Sequence, residues 1–238
     1  MRVAVMSDIH GFDIALMAVM AEIKRQGPFD EVVVAGDLCE VGPDPAAVIH
    51  LLRESDVQVI QGNTDVDIVE AARIGDAPPS LRYAVEQIGA DGVDYLAALP
   101  FSRRISPPGG SAPEHDLLVV HANPHNLLDR LDPAASDREL REVLGDERAG
   151  AVAFGHIHIC YTRTLDETLL ADVSAVGNPK DGDLRCKFGI LTWNPETGRW
   201  DAEIRKLEYP LDETEDQIMR SDLPNPVKVL RKLKKATY

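Results

Sequence analysis

Residues 2–11 read "RVAVMSDIHG". A short run rich in apolar and β-branched residues is the pattern of a buried strand. It stops abruptly at Ser7, Asp8 and His10, just before Gly11. Residues 12–25 then carry Phe12, Leu16, Val19, Met20 and Ile23 at helical spacing. The same unit follows twice. "EVVVAGD" (31–37) is a second buried strand ending in Gly-Asp, and "DPAAVIHLLRES" (44–55) is helical with Pro45 in its first turn. "DVQVIQGNTD" (56–65) is a third strand, again ending in glycine and polar residues. Strands alternating with helices in this way predict parallel βαβ units.

Outward from this start, residues 65–74 and 81–99 read as helices separated by "DAPPS" (76–80), and "SPPGGSAPEHD" (106–116) reads as a loop. "DLLVVHANP" (116–124) and "GAVAFGHIHICY" (150–161) are two more strands, with a helix over about 136–145 between them. Beyond these, segments 159–164, 168–175, 187–193 and 200–206 read as strands joined by turns such as "NPETG" (194–198), which predicts an antiparallel sheet. Cys160 and Cys186 fall among these strand residues. A helix near 212–221 is followed by "LPNPVKVLRKLKK" (223–235), whose Val227, Leu230 and Leu233 share a helical face expected to dock on the rest. No internal repeat and no linker is evident. The expectation is one domain over 1–238, built of two sheets covered by helices, with a C-terminal helical tail at about 211–238.

Polar residues gather where the strands stop. Asp8 and His10, Asp37, Asn63, His121, and His156 with His158 each close a predicted strand, and these account for four of the seven histidines. In open α/β sheets, ligands bind outside the carboxyl ends of the strands. Residues i and i+2 of an extended segment point the same way, so Asp8 and His10 can reach one point and His156 and His158 another or the same. Mixed oxygen and imidazole donors suit Mn, Fe, Zn, Ni or Co rather than Ca. Seven donors exceed the needs of one ion that keeps an open position, and suit two ions sharing a carboxylate. Among the remaining histidines, His50 lies in a helix and His115 in a polar loop, which makes both bystanders.

Composition narrows the class. Hydrophobic residues make up 44%, ample for a packed core, and the formal net charge of -15 argues against broad nucleic-acid binding. No stretch has the roughly 18 apolar residues of a membrane span, and the opening has no signal-peptide pattern. Three scattered cysteines, Cys39, Cys160 and Cys186, fit reduced thiols and a cytoplasmic protein better than a disulfide framework.

Taken in order, "SDIHG", "AGDLCEVGPDP", "QGNTD", "VVHANP" and "FGHIH" resemble the calcineurin-like metallophosphoesterase family, in its small bacterial phosphodiesterase-like branch, and "SAVGNPKDGDLR" (174–185) resembles a stretch that follows in bacterial members. The resemblance implies a four-layer α/β/β/α sandwich of two mixed sheets. It implies that Asp8, His10, Asp37 and His158 hold one divalent ion, and that Asp37, Asn63, His121 and His156 hold another, with Asp37 as the bridge and Asp37, Asn63 and His121 also counted as catalytic. The ions, Mn foremost, would lower the pKa of a water between them so that hydroxide attacks phosphorus in line. A phosphoester small molecule or nucleotide is the expected partner, and the oligomeric state stays open.

One position departs. Many members have histidine after the Gly-Asn pair, and this chain has Thr64. Threonine is no general acid near pH 7, and loss of such a group forfeits roughly 10²–10⁴-fold. A preference for activated phosphodiesters over alkyl monoesters is therefore expected, with His125 open as a substitute acid. The alternatives are a phosphatase of monoesters, phosphoproteins or dinucleoside polyphosphates, and a non-catalytic interaction module of the same fold. Asp65 reads as a cap of the following helix. Asn178, Lys180 and Arg185 fit a phosphate contact or a solvated turn equally well.

Overall fold

β1 (Arg2–Met6) pairs in parallel with β2 (Glu31–Val34), and β2 with the two-residue β3 (Gln58–Val59), in a computed structural model that describes residues 1–237. The connections are α1 (Asp13–Gln26) and α2 (Pro45–Arg53), the latter capped by Asp44 accepting from the Ala47 N–H. α3 (Asn63–Ile74) and α4 (Pro79–Ala97) pack on each other before the chain enters a second sheet. That sheet begins with β4 (Ser102–Ile105) antiparallel to β5 (Leu117–Val120), which pairs in parallel with β6 (Ala151–Phe154). Between β5 and β6 lies α5 (Asp137–Leu144), begun by a capping box in which Ser136 and Glu139 bond each other's backbone N–H. β7 (Tyr161–Leu165), β8 (Thr168–Asp172), β9 (Cys186–Asn194), β10 (Arg199–Leu207), α6 (Leu211–Arg220) and α7 (Pro226–Lys235) complete the chain.

The two five-stranded sheets run β10–β9–β1–β2–β3 and β4–β5–β6–β8–β7. Alternation along each strand decides which core a side chain enters. Val3 and Val5 of β1 meet Leu117, Val119, Ala151 and Ala153 between the sheets, where Trp193 and Trp200 also pack. Ala4 and Met6 face the other way, into a core with α1, α2, α3, α4 and residues of α6 and α7. Leu118, Val120, Val152 and Phe154 face outward under Leu140 and Leu144 of α5. Helices, sheet, sheet and helix form the four layers of the expected sandwich.

Three expectations need correcting. The strands after β6 do not form an antiparallel sheet of their own. β8 adds in parallel to β6 with β7 antiparallel outside it, while β9 and β10 cross to the first sheet and lie antiparallel beside β1. Local sequence sets strand character, whereas the choice of partner depends on burial of both faces. Cys160 precedes β7 rather than lying in a strand. On α7, Leu233 is buried but Val227 is 66% exposed, so the docked face is narrower than its apolar spacing implies.

Candidate metal centre

Asp8 and His10 follow β1, Asp37 follows β2, Asn63 follows β3, His121 follows β5, and His156 and His158 follow β6. All seven side chains meet, as two groups. In the first, Asp8 Oδ1 lies 3.2 Å from His158 Nε2 and 3.7 Å from His10 Nε2, and the two imidazole nitrogens are 3.2 Å apart. Asp37 Oδ2 is 3.6 Å from His10 Nε2. In the second, Asn63 Oδ1 is 3.0 Å from both His121 Nε2 and His156 Nδ1, which are 3.2 Å apart, and Asp37 Oδ1 is 3.5 Å from His121 Nε2. Asp37 thus turns one oxygen to each group. Donor atoms of Asp8, Asp37 and His121 also lie within 4.8 Å of one another, so Asp8 borders both groups.

The outer nitrogen of every imidazole is taken. His10 Nδ1 donates to the Glu40 carbonyl at 3.0 Å, His121 Nδ1 to Ala35 at 2.8 Å, and His156 Nε2 to Leu128 at 3.1 Å. His158 Nδ1 donates to the Asn178 carbonyl. A neutral imidazole so held directs its remaining lone pair inward. Lone pairs facing each other at 3.2 Å, beside a buried Asp8 Oδ1 with no hydrogen-bond partner, form a donor set that fits cations.

Burial, chiefly, pushes His10 down to about 4 and lowers His156, so both favour the neutral ring. Burial also opposes charge on His121 and His158, but the carboxylates of Asp37 and Asp8 outweigh it and raise both. Burial acts likewise to raise Asp8, yet the charge of His158, with those of His121 and His10, holds its carboxyl well below the ordinary range.

The backbone around the donors is unusual. Asp8, His10, Asp37, His156 and His158 all have left-handed φ, between 54° and 69°. Such conformations cost energy in non-glycine residues and cluster at functional sites. Gly155 is required by close approach, because a Cβ there would lie 2.2 Å from Asp8 Oδ2 and from Ser7 Oγ. Asp8 Oδ2 itself accepts from the His156 N–H at 2.9 Å.

Asp65 does more than cap α3. Besides accepting from the Gly62 N–H, it accepts from the N–H groups of Asp37 and Leu38, each at 2.9 Å, and so clamps the turn that carries Asp37. Burial, then Asp37, raises its carboxyl to about 7. The Thr64 N–H donates to Asp37 Oδ1 at 2.9 Å, and the buried Thr64 hydroxyl has no partner. His125 does not join the group: its Nε2 bonds the Leu144 carbonyl at 2.8 Å, which ties it to the end of α5. Arg185 is paired with Asp183, while Lys180 bonds Asn178 Oδ1. The carbonyls that orient the imidazoles escape sequence reading, because every residue has one.

The described residues contain no helix long and apolar enough to cross a membrane. The protein MJ0912 of Methanocaldococcus jannaschii, itself uncharacterized, is 24% identical over 93% of each chain. The symmetrical bis(5'-nucleosyl)-tetraphosphatase of Acidovorax sp. strain JS42 is 34% identical over 48% of this chain and 41% of its own length. The crystal structure of a metallophosphoesterase from Sphaerobacter thermophilus superimposes over the whole of both chains, with a TM-score of 0.76 at 20% identity, a likeness of fold. The model of the calcineurin-like phosphoesterase superfamily domain matches residues 1–195, and the chain belongs to that superfamily, whose members hold divalent metal ions.

Proposed function

We propose that the chain hydrolyses phosphodiesters with two divalent cations, Mn foremost and Fe, Zn, Ni or Co as alternatives. One observation carries the reading: two groups of donors share Asp37, which offers an oxygen to each. Asp8, His10, Asp37 and His158 would hold one ion, and Asp37, Asn63, His121 and His156 the other. When bound, such a pair supplies an activated water and neutralises charge growing on the phosphoryl oxygens.

The chain's own groups prepare this. The carbonyls of Glu40, Ala35, Leu128 and Asn178 hold each imidazole in the tautomer that presents a lone pair. Asp65 and the Thr64 N–H orient Asp37. The Thr64 hydroxyl donates no proton to a leaving group near pH 7, which favours groups that depart unaided. Aryl oxides leave in this way, and so do phosphates, so a dinucleoside polyphosphate is a second substrate class. The Acidovorax relative's name favours it. Three cysteines without a disulfide accord with work in the cytoplasm.

Metal analysis of purified protein, followed by assay on bis(4-nitrophenyl) phosphate, diadenosine tetraphosphate and alkyl monoesters, tests the reading. Two ions per chain and turnover of the first two substrates are expected. Turnover of monoesters alone would overturn the choice of substrate. A metal-loaded protein inert to all of them would favour an interaction module.

A further inference from the structure

A cavity of about 380 Å³ adjoins the residues that orient His10 and His158, although none of the seven donors lines it. Glu40 and Asn178 line it, and their backbone carbonyls are the ones that accept from His10 and His158. The cavity and the donor cluster therefore share a wall. Lys180, Lys228 and Lys232 also line it. Lys180 comes from the loop just after Asn178, and Lys228 and Lys232 stand one turn apart on α7.

These lysines, like Lys24 and Lys235, differ from three others in the chain. Lys187, Lys206 and Lys234 are each paired with a carboxylate, at 3.0, 3.1 and 2.7 Å. Among the described residues, no carboxylate lies within ion-pair distance of Lys180, Lys228 or Lys232. Glu40, the acid in the same lining, accepts instead from the Ser80 hydroxyl at 2.9 Å. Three ammonium groups and the single Glu40 carboxylate, which feels Lys232, share one concavity in a chain of net charge -15, so the lining holds more positive than negative groups and suits an anion. The volume is that of a small-molecule site.

We propose that this cavity binds a polyphosphate chain: it takes a phosphate beyond the one that reacts and so selects nucleoside polyphosphates over single-phosphate diesters. The proposal rests on the phosphoesterase reading above for the position of the reacting phosphorus. Lys228 and Lys232 lie outside the stretch, residues 1–195, that the superfamily shares. The preference would thus come from a segment added to the common core.

The test compares the parent chain with three variants by calorimetric titration with tripolyphosphate. Lys228→Ala/Lys232→Ala and Arg231→Ala/Lys235→Ala each remove two positive charges from α7, but only the first pair removes them from the cavity. Binding is expected to weaken about tenfold or more in the first pair, the loss of one or two charge-assisted hydrogen bonds, and to stay within about twofold in the second. Lys180→Met, on a separate segment, should weaken binding as well, which covers any disturbance of α7. Equal loss in both pairs, or loss in neither, overturns the proposal. In an active enzyme, kcat/KM for diadenosine tetraphosphate should fall about tenfold further than that for bis(4-nitrophenyl) phosphate in the first pair. An unchanged ratio overturns the assignment to substrate. A protein inert to all esters that still binds tripolyphosphate through these lysines would refute the proposed activity while upholding the anion site.

Discussion

Asp37 is the side chain with the most to lose. Its two oxygens face different donor groups, so Asp37→Ala should strip both ions, whereas His10→Ala and His156→Ala should each lose one. Elemental analysis after dialysis reads this directly, and affinity should fall by more than the ~10–100-fold that an outer partner is worth. Gly155→Ala should destabilise by roughly 1–3 kcal/mol, the cost of overpacking, because its methyl would overlap Asp8 Oδ2 and Ser7 Oγ; denaturant melts check this. Asp172, at the end of β8, is fully buried, with Oδ1 accepting from the Ser174 N–H at 2.6 Å and Oδ2 without a partner. Burial pushes its carboxyl well above the ordinary value. Such an acid binds its proton more tightly folded than unfolded, so its contribution is full below the unfolded pKa and is lost as pH rises towards the folded one. Melts at about pH 4 to 8 should show Asp172→Asn with the flatter profile, overtaking the parent near neutrality. That these seven side chains would gather was readable from sequence, since they follow the ends of apolar runs. Their left-handed backbone and carbonyl partners were not, because neither leaves a mark in residue type.

The strands show the boundary between local and distant information. β1, β2, β5 and β6 are short, apolar and followed at once by a polar tip, and each reads correctly on its own. β3 shrinks to two residues because the chain turns early into α3, where Asp65 recruits the Gly62 N–H. β9 looks like any hairpin strand, yet it inserts beside β1 and places it inside the sheet. That pairing spans most of the chain, and no neighbouring residue announces it. α7 is similar: its basic, amphipathic sequence gives a helix, but not the cavity it helps to close. Leu233 is its buried anchor, 1% exposed. Leu233→Ala should cost about 2–5 kcal/mol and raise hydrogen exchange in residues 226–235. Unchanged exchange there would mean that other contacts hold the helix.

Donors of both groups come from both sheets: Asp8, His10, Asp37 and Asn63 from the first, and His121, His156 and His158 from the second. Bound ions would therefore tie the two halves of the sandwich together. Chelation should lower the melting temperature and added Mn should restore it, since a ligand at a hundred times its Kd stabilises by ~2.7 kcal/mol. A melt indifferent to chelator would argue against ions at this place. The order of the donors along the chain has a further consequence for biosynthesis. When a ribosome has added residue 63, four of the seven have been synthesised, yet each group still lacks a histidine from the stretch 156–158. A nascent chain could thus complete neither group, and capture of the proposed ions would await translation and docking of β6.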